Sequence, residues 1–255
     1  MRLSAESKSE KLWLKAELHT HCSLDPIDYR ICQYTPEQLI SRAAELGYRV
    51  LALTCHNRDI WTEDLADYAR NLGVVLIPGV EVVVERTRHI LAYNFHTGPE
   101  NLNTLNKIRN RSRQDTAVIA PHAFFPGPTC LRRFLKKNLD IIDAVEYSGF
   151  HIRGLNFNRQ SVKFAGENGK AVIGCGDIHH LWQLDRTFTW IYAEPETESI
   201  LTAIKQGLVR IQTSPLSWAE AAGWWTTAIW RSVFPANAAP SGRALDKLFP
   251  ASDSD

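Results

Sequence analysis

The stretch Leu12–His21, LWLKAELHTH, carries the first signal of both the fold and the chemistry. Its apolar residues predict a β-strand over Leu12–Leu18, and this strand runs directly into His19 and His21. Residues two apart in an extended chain project to the same side, so both imidazoles can reach one metal ion. A lone His-x-His pair also occurs by chance, and its meaning therefore depends on the rest of the chain.

The same succession of a short apolar run and an amphipathic helical pattern repeats along the chain. Residues 35–38, TPEQ, offer a helix N-cap, a proline at the first helical position and a capping box, and Gly47 predicts the end of that helix. Thr62 and Gly73 bracket a second helix, and 196–206 predicts another that ends at Gly207. The predicted strands are Leu12–Leu18, Arg49–Thr54, Val74–Pro78, His89–Phe95, Ala117–Ala120, Ile141–Tyr147, Ala171–Cys175, Thr187–Tyr192 and Leu208–Ile211. This alternation predicts an α/β fold with a mainly parallel sheet, and a (β/α) barrel is favoured over an open doubly wound sheet.

Composition indicates an ordinary globular protein, and the net charge limits the classes of partner that it could attract. Of the 255 residues, 44% are hydrophobic and 22% charged, which excludes wholesale disorder, and the net charge of +1 gives no global attraction to nucleic acid or anionic lipid. Five widely spaced cysteines without a C-x-x-C pair favour a reducing compartment over a disulfide framework. With no signal-peptide pattern and no transmembrane run, we expect a cytoplasmic protein.

Six of the nine histidines and two acids lie at or just after the ends of predicted strands. They are His19, His21, His56, Glu81, His89, His122, Asp177 and His179. In a parallel barrel the carboxyl ends of the strands share one rim, where such folds assemble their active sites. Imidazole and carboxylate ligands suit Zn, Mn or Fe, and a carboxylate can bridge two ions. So many ligands exceed the needs of one ion, which predicts a multinuclear centre of the kind used on phosphate esters.

Six motifs resemble, in order and spacing, those of the polymerase and histidinol phosphatase (PHP) family. They are His19-Thr20-His21, Leu53-Thr54-Cys55-His56, Gly79-Val80-Glu81, His89-Ile90-Leu91-Ala92-Tyr93, Pro121-His122 and Asp177-Ile178-His179. The resemblance extends from about Leu14 to Ile211. It implies a distorted (β/α)7 TIM-like barrel that holds two or three divalent ions (Mn, Zn or Fe). It also implies hydrolysis of phosphomonoesters or phosphodiesters through a metal-bound hydroxide.

The resemblance further implies three groups of metal ligands. The first comprises His19, His21, Glu81 and Asp177; the second shares Glu81 and adds His89 and His122; the third comprises His56, His179 and a carboxylate from the loop after His21. Two positions depart from the family pattern. Cys55 stands where an aspartate is common, and we expect it to be a buried structural thiol. Asp25-Pro26-Ile27-Asp28 stands where Ser-Asp-Gly is common, and Asp28 is preferred to Asp25 as the ligand.

The expected substrate is a small phosphorylated compound or a nucleotide. His179 or His151 is the candidate proton donor to the leaving oxygen. Arg153 and Arg58 are candidate phosphate contacts, because guanidinium matches phosphate oxygens, although surface solvation explains either equally well. A basic grouping in residues 111–137 makes nucleic acid a candidate partner, but a solvated helix face is the favoured interpretation.

Two other functions stay open at this point. An amidohydrolase also begins its barrel with His-x-His, and a metal-binding PHP module without catalysis would tolerate Cys55. Residues 12–212 are expected to form the barrel, and residues 213–255 a C-terminal extension that is not a separate domain. Within it, Ser217–Phe234 predicts a Trp-rich helix that packs on the barrel or forms a homodimer contact, followed by a disordered tail.

Overall fold

The structure, a computed structural model, describes residues 10–111 and 113–223. Over this part of the chain the strands are β1 Leu12–Glu17, β2 Val50–Leu53, β3 Val75–Val84, β4 Arg88–Tyr93, β5 Ala117–Ala120, β6 Ala144–Ser148, β7 Ala171–Cys175, β8 Thr187–Ala193 and β9 Val209–Thr213. The α-helices are α1 Pro36–Glu45, α2 Glu63–Asn71, α3 Leu105–Arg109, α4 Arg133–Lys137, α5 Asn158–Glu167 and α6 Thr197–Lys205, and residues 218–223 are also helical. Every predicted strand is therefore present; Ala117–Ala120 and Ala171–Cys175 have the predicted bounds, and the bounds of the others are shifted.

The helix boundaries form where the local sequence predicts them. The Thr35 hydroxyl accepts the backbone N–H of Gln38, and the Gln38 side chain accepts the backbone N–H of Thr35, which completes the capping box of α1. Gly47, just beyond the C-terminus of α1, has a φ of +79°. This left-handed conformation satisfies the last carbonyls of a helix and favours glycine. The Thr62 hydroxyl caps α2 by accepting the backbone N–H of Leu65.

The direction of the strands corrects the prediction of a mainly parallel sheet. The order is β7-β6-β5-β4-β3-β2-β1-β8-β9. The β1–β2, β2–β3, β5–β6 and β6–β7 pairs are parallel, whereas β3–β4, β4–β5, β1–β8 and β8–β9 are antiparallel. The first reversal is a tight turn between β3 and β4, where Glu85 and Arg86 both have positive φ. A hairpin replaces a helical crossover there, so the strict (β/α)7 repeat is not observed.

The sheet curls until it is nearly closed. Strand β7 contacts β8 and β9, and the Thr189 hydroxyl bonds the backbone N–H and C=O of Gly174. Beyond the ends of β1 and β7, Thr20 pairs with Ile178 as an isolated parallel bridge. The Ile178 N–H donates to His19 O and the His21 N–H donates to Ile178 O, both at 3.0 Å. The chain segments that follow β1 and β7 therefore meet at one rim.

Apolar side chains fill the inside of the curled sheet. Leu14, Ala16 and Leu18 of the first strand segment are fully buried, together with Leu91 and Ile173 from other strands. Helix α6 joins the same cluster, while α1 and α2 pack on one part of the outer face and α3 to α5 on another. The apolar filling ends at Leu18, and the next residue is the first histidine of the rim.

The start of the C-terminal extension lies against the barrel. Leu216 and Ala221 form a small buried cluster with Ile152 and Phe150, whereas the Trp218 side chain is 73% exposed. The predicted Trp-rich helix begins at residue 218, and its other tryptophans, Trp224, Trp225 and Trp230, lie outside the described residues. None of the helices within residues 10–223 combines the length and apolar character required to cross a bilayer.

Candidate metal centre

The eight predicted ligands from the strand ends meet at the rim where β1 and β7 converge. His19 and His21 follow β1, His56 follows β2, Glu81 lies within β3, His89 is the second residue of β4, His122 follows β5, and Asp177 and His179 follow β7. One placement differs from the expectation, because Glu81 lies inside a strand that continues to Val84. His89 lies near the beginning of its strand, in agreement with the predicted strand His89–Phe95. Since β4 runs antiparallel, its beginning lies at the same rim as the ends of the parallel strands.

Four ligand atoms of the first group converge. His19 Nε2 lies 3.1 Å from Glu81 Oε2 and 3.4 Å from Asp177 Oδ1, and His21 Nε2 lies 3.3 Å and 3.2 Å from the same oxygens. A metal bonded to ligands at about 2.0–2.2 Å holds neighbouring ligand atoms about 3.0–3.5 Å apart. Among the described residues, the buried His21 Nε2 has no hydrogen-bond partner. The spacing and this nitrogen both fit an ion.

The two oxygens of Glu81 face different sets of imidazoles. Oε2 belongs to the group above, whereas Oε1 lies 2.6 Å from His89 Nδ1 and 3.4 Å from His122 Nε2. The carboxyl group is buried. Burial alone would raise its pKa, but His56, His89 and His19 hold the pKa of Glu81 well below its usual range. Glu81 is therefore an ionised carboxylate with the geometry of a bridge between two cations.

The third group centres on the loop after His21. Asp28 Oδ2 lies 3.0 Å from His179 Nε2 and 3.3 Å from His56 Nδ1. Asp25 Oδ2 lies 2.7 Å from His21 Nδ1 and 3.0 Å from His56 Nδ1, and Asp25 Oδ1 accepts the backbone N–H groups of residues 27 and 28. His56 Nε2 also lies 3.1 Å from Glu81 Oε2. Asp28 thus faces His179, while Asp25 orients two imidazoles and shapes the loop.

Five of the six imidazoles share one orientation, with Nδ1 facing a protein group and Nε2 facing a carboxylate of the cluster. The Nδ1 partners are Glu146 for His19 at 2.8 Å, Asp25 for His21 and His56, the Asp177 carbonyl for His179 at 2.9 Å, and Cys130 Sγ for His122 at 3.5 Å. A hydrogen bond at Nδ1 fixes the ring and leaves Nε2 unprotonated toward a metal. The exception is His89, whose Nδ1 faces Glu81.

Two buried acids were not predicted. Glu146 on β6 contacts His19 Nδ1 through one oxygen and accepts the backbone N–H of His122 through the other. Glu17 accepts backbone N–H groups of His19 and Gly176, and burial, opposed by these bonds, raises its pKa to about 8. Each acid lies directly between two buried or apolar neighbours of a predicted strand, and a carboxylate in that position was the signal that could have identified it.

The burial predicted for Cys55 is confirmed. Its side chain is fully buried, and its Sγ lies 3.6 Å from Cys22 Sγ. The backbone N–H of His56 and its Nδ1 both face Asp25. Asp25 therefore supplies the carboxylate beside this histidine that the motif with Cys55 lacks.

Two of the cluster residues have left-handed backbone conformations. The φ angles are +32° at His122 and +49° at Asp177. Such conformations cost about 1–3 kcal/mol for residues other than glycine and concentrate at functional sites. Each residue lies two positions after the end of a strand, and its side chain faces the cluster.

A cavity of about 350 Å³ adjoins the cluster. Its lining includes His56, Glu81, His89, His122, Asp177 and His179 together with Phe125, Pro126, Phe150, Ile152, Leu155, Phe157 and Leu216. His151 also lines it, and no hydrogen-bond partner for the buried Nδ1 lies among the described residues. Burial lowers the pKa of His151. The candidate proton donor is therefore a largely neutral imidazole beside the cluster.

The predicted arginine contacts are not found at this cavity. Arg58 Nη1 donates to the Leu24 carbonyl at 3.2 Å, and Arg153 lies in an exposed turn. Neither residue lines the cavity. In the basic grouping of residues 111–137, Arg113 pairs with Asp143. These guanidinium groups therefore contact nearby protein groups or solvent instead of the cavity.

Comparison with known proteins bears on the fold. No protein-family model matches the sequence, and no curated protein sequence matches it. A two-domain protein from Bacteroides vulgatus that contains a predicted PHP-like metal-dependent phosphoesterase aligns with a TM-score of 0.59 at 18% identity. This chain spans 65% of that protein's length, and the alignment covers 80% of this chain. The resemblance to PHP-like proteins is confirmed for the fold. PsfC from Pseudomonas syringae aligns with a TM-score of 0.55 at 17% identity, over 87% of this chain and 98% of PsfC.

Proposed function

We propose that the protein is a metal-dependent hydrolase of phosphate esters with two or three divalent ions. The observation that carries the proposal is the arrangement around Glu81. Its two oxygens face two sets of imidazoles, and most of those rings are held by protein groups at the opposite nitrogen. When bound, clustered divalent ions neutralise phosphate oxygens and acidify the attacking water. Nitrogen and carboxylate donors suit Mn, Zn or Fe.

We assign the ligands in three groups around the shared carboxylate. They are His19, His21, Glu81 and Asp177; Glu81, His89 and His122; and His56, Asp28 and His179. Contacts of 3.0–3.4 Å between inward-facing atoms support most of this grouping. The proximity of His56 Nε2 to Glu81 favours a compact cluster in which the third group adjoins the first.

We assign His151 as the donor to the leaving oxygen in preference to His179. His179 contacts the Asp177 carbonyl with one ring nitrogen and Asp28 with the other. His151 lines the cavity and is outside the ligand groups. Because its pKa is lowered, the neutral ring would donate a hydrogen bond from an N–H to the departing oxygen without transferring that proton. The proton that the departing oxygen takes up would come from solvent.

The test is turnover after reconstitution with Mn or Zn. The metal-free full chain is loaded with each ion, and its hydrolysis of 4-nitrophenyl phosphate and bis(4-nitrophenyl) phosphate is compared. We expect metal-dependent release of nitrophenol, little release by Glu81→Gln, and unchanged release by Glu45→Gln, a control on an exposed face of α1. Bound metal without turnover of either ester or of nucleotides would favour a non-catalytic module, and amide cleavage would favour an amidohydrolase. The cytoplasmic location, the homodimer and nucleic-acid binding remain predictions.

A further inference from the structure

The cavity beside the cluster has two chemically different parts. One side consists of the predicted metal ligands, and the other is largely apolar, with the rings of Phe125, Phe150 and Phe157 and the aliphatic side chains of Ile152 and Leu155. Thr129, Cys130 and His151 are the more polar side chains of this second part. Among the described lining residues there is no lysine or arginine.

Three separate chain segments build the apolar wall. Residues 125–130 follow β5, residues 150–157 follow β6, and residues 216–221 follow β9. The backbone N–H of Leu216 donates to His151 O at 2.8 Å, and Leu216 pairs with Ile152. Segments far apart in sequence thus join to form one surface, and hydrogen bonds anchor its C-terminal part.

We propose that the group esterified to phosphate is compact and apolar, such as a single aromatic ring. This inference rests on the proposed phosphoesterase function and specifies its substrate class. A sugar or glycerol group against these walls would lose more hydrogen bonds to water than Thr129, Cys130 and His151 could replace. A polynucleotide needs cations along its phosphates, and the described lining has neither lysine nor arginine. A volume of about 350 Å³ lies near the lower end of small-molecule sites.

Binding of two phosphonates tests the proposal without turnover. Benzylphosphonate and methylphosphonate carry the same charged head and differ in the apolar group. Calorimetry on the Mn-loaded full chain should show benzylphosphonate bound at least about tenfold more tightly, since each apolar group added in a fitting pocket contributes on that scale. Equal affinities, weaker binding of benzylphosphonate, or no binding of either would overturn the proposal.

Two variants test whether the preference for benzylphosphonate arises from the apolar wall. Leu155→Ala removes an apolar side chain that is 46% exposed, so the fold should tolerate it. Leu216→Ala tests the buried part of the wall. Each should reduce the preference for benzylphosphonate at least about threefold and leave methylphosphonate binding unchanged. Leu72→Ala, the same change at an exposed position outside the cavity lining, should not alter the preference. An undiminished preference in both wall variants would contradict the assignment.

Turnover distinguishes failure of this inference from failure of the proposed function. Phenyl phosphate should be hydrolysed with a higher kcat/KM than glycerol phosphate or a nucleotide monophosphate. Hydrolysis of all three without a preference for phenyl phosphate would overturn the inference and leave the phosphoesterase function intact. Preferential binding of benzylphosphonate without hydrolysis of any ester would support the apolar binding wall and contradict the phosphoesterase function.

Discussion

The two oxygens of Glu81 face different sets of imidazoles. Two of the proposed groups of metal ligands therefore share this one carboxylate. Glu81→Gln keeps the shape but removes the charge that offsets repulsion between neighbouring dications. We expect this variant to lose more than one equivalent of bound metal. His179→Ala, which changes a residue facing Asp28, should lose about one equivalent. Elemental analysis of the reconstituted proteins measures both, with Glu45→Gln as control. Equal stoichiometry in wild type and Glu81→Gln would refute the bridge.

Glu146 acts on the cluster through His19, because it lies 2.8 Å from His19 Nδ1 and belongs to none of the ligand groups. Glu146→Gln retains the size but weakens the hold on the tautomer and orientation of the ring. Loss of such a partner typically lowers metal affinity 10–100-fold, and we expect a decrease of about that size. Competition with a chelator measures it. An affinity equal to that of wild type would exclude a role for Glu146 in positioning His19.

His151 links stability to pH. Its folded pKa lies below the value of about 6.5 for an exposed histidine, because burial disfavours the charged ring. As the pH falls below about 6.5, the unfolded chain binds a proton that the folded protein does not, so stability decreases. His151→Gln removes this contribution and should show a smaller decrease in Tm between pH 7 and pH 5 than wild type. His96→Gln, at an exposed position, is the control. An identical decrease in wild type and His151→Gln would contradict the argument.

At the scale of the elements, substitution by alanine should have opposite effects on stability at two glycines that both have open space around them. No atom lies within 4 Å of a Cβ built at Gly47 or at Gly166. Gly47 has a φ of +79°, so Gly47→Ala should lower the free energy of unfolding by about 1–2 kcal/mol. Gly166 lies inside α5, so Gly166→Ala should raise it by about 0.5–1 kcal/mol. Urea denaturation measures both, and changes of the same sign would refute the argument.

Strand positions could be predicted from the sequence, but strand directions could not. Apolar runs locate the strands, whereas the direction of β4 depends on a turn at Glu85 and Arg86 whose residues carry no strong turn signal. Strand β3 was predicted to end at Pro78. Pairing with β2 does stop there, but the chain continues from Gly79 by pairing with β4. A proline that marks a change of neighbour is indistinguishable in sequence from one that ends a strand.

Part of the candidate site could also be predicted from the sequence. The histidines that meet at the rim could be predicted because they lie at or just after the ends of predicted strands. Glu146 and the orienting role of Asp25 could not, since they depend on which carboxylate reaches Nδ1 in three dimensions. The position of Arg58 relative to the cavity could not be predicted for a related reason, because nothing in the sequence indicates that its guanidinium donates to the Leu24 carbonyl.

At the scale of the whole molecule, the C-terminal segment completes the barrel surface. Leu216 and Ala221 cover Phe150 and Ile152. Truncation after Ser214 keeps β9 but uncovers these apolar groups, so we expect a lower Tm and lower solubility. Calorimetry and light scattering measure the stability and the mass of the truncated chain. Trp218→Ala, at a side chain already 73% exposed, should leave the Tm unchanged. A truncated chain with the Tm, mass and solubility of the intact protein would show that the segment contributes no packing.

The seam where the curled sheet closes has a kinetic consequence. Asp177 and His179 lie on the segment that follows β7, and His19 and His21 on the segment that follows β1. The backbone pairing between these two segments is one isolated bridge, at Thr20 and Ile178, rather than a continuous ladder. Local opening of this seam would separate residues that we propose as ligands of one ion, while the rest of the sheet stayed paired. The residence time of a bound ion is therefore expected to follow the opening rate of the seam rather than the rate of global unfolding.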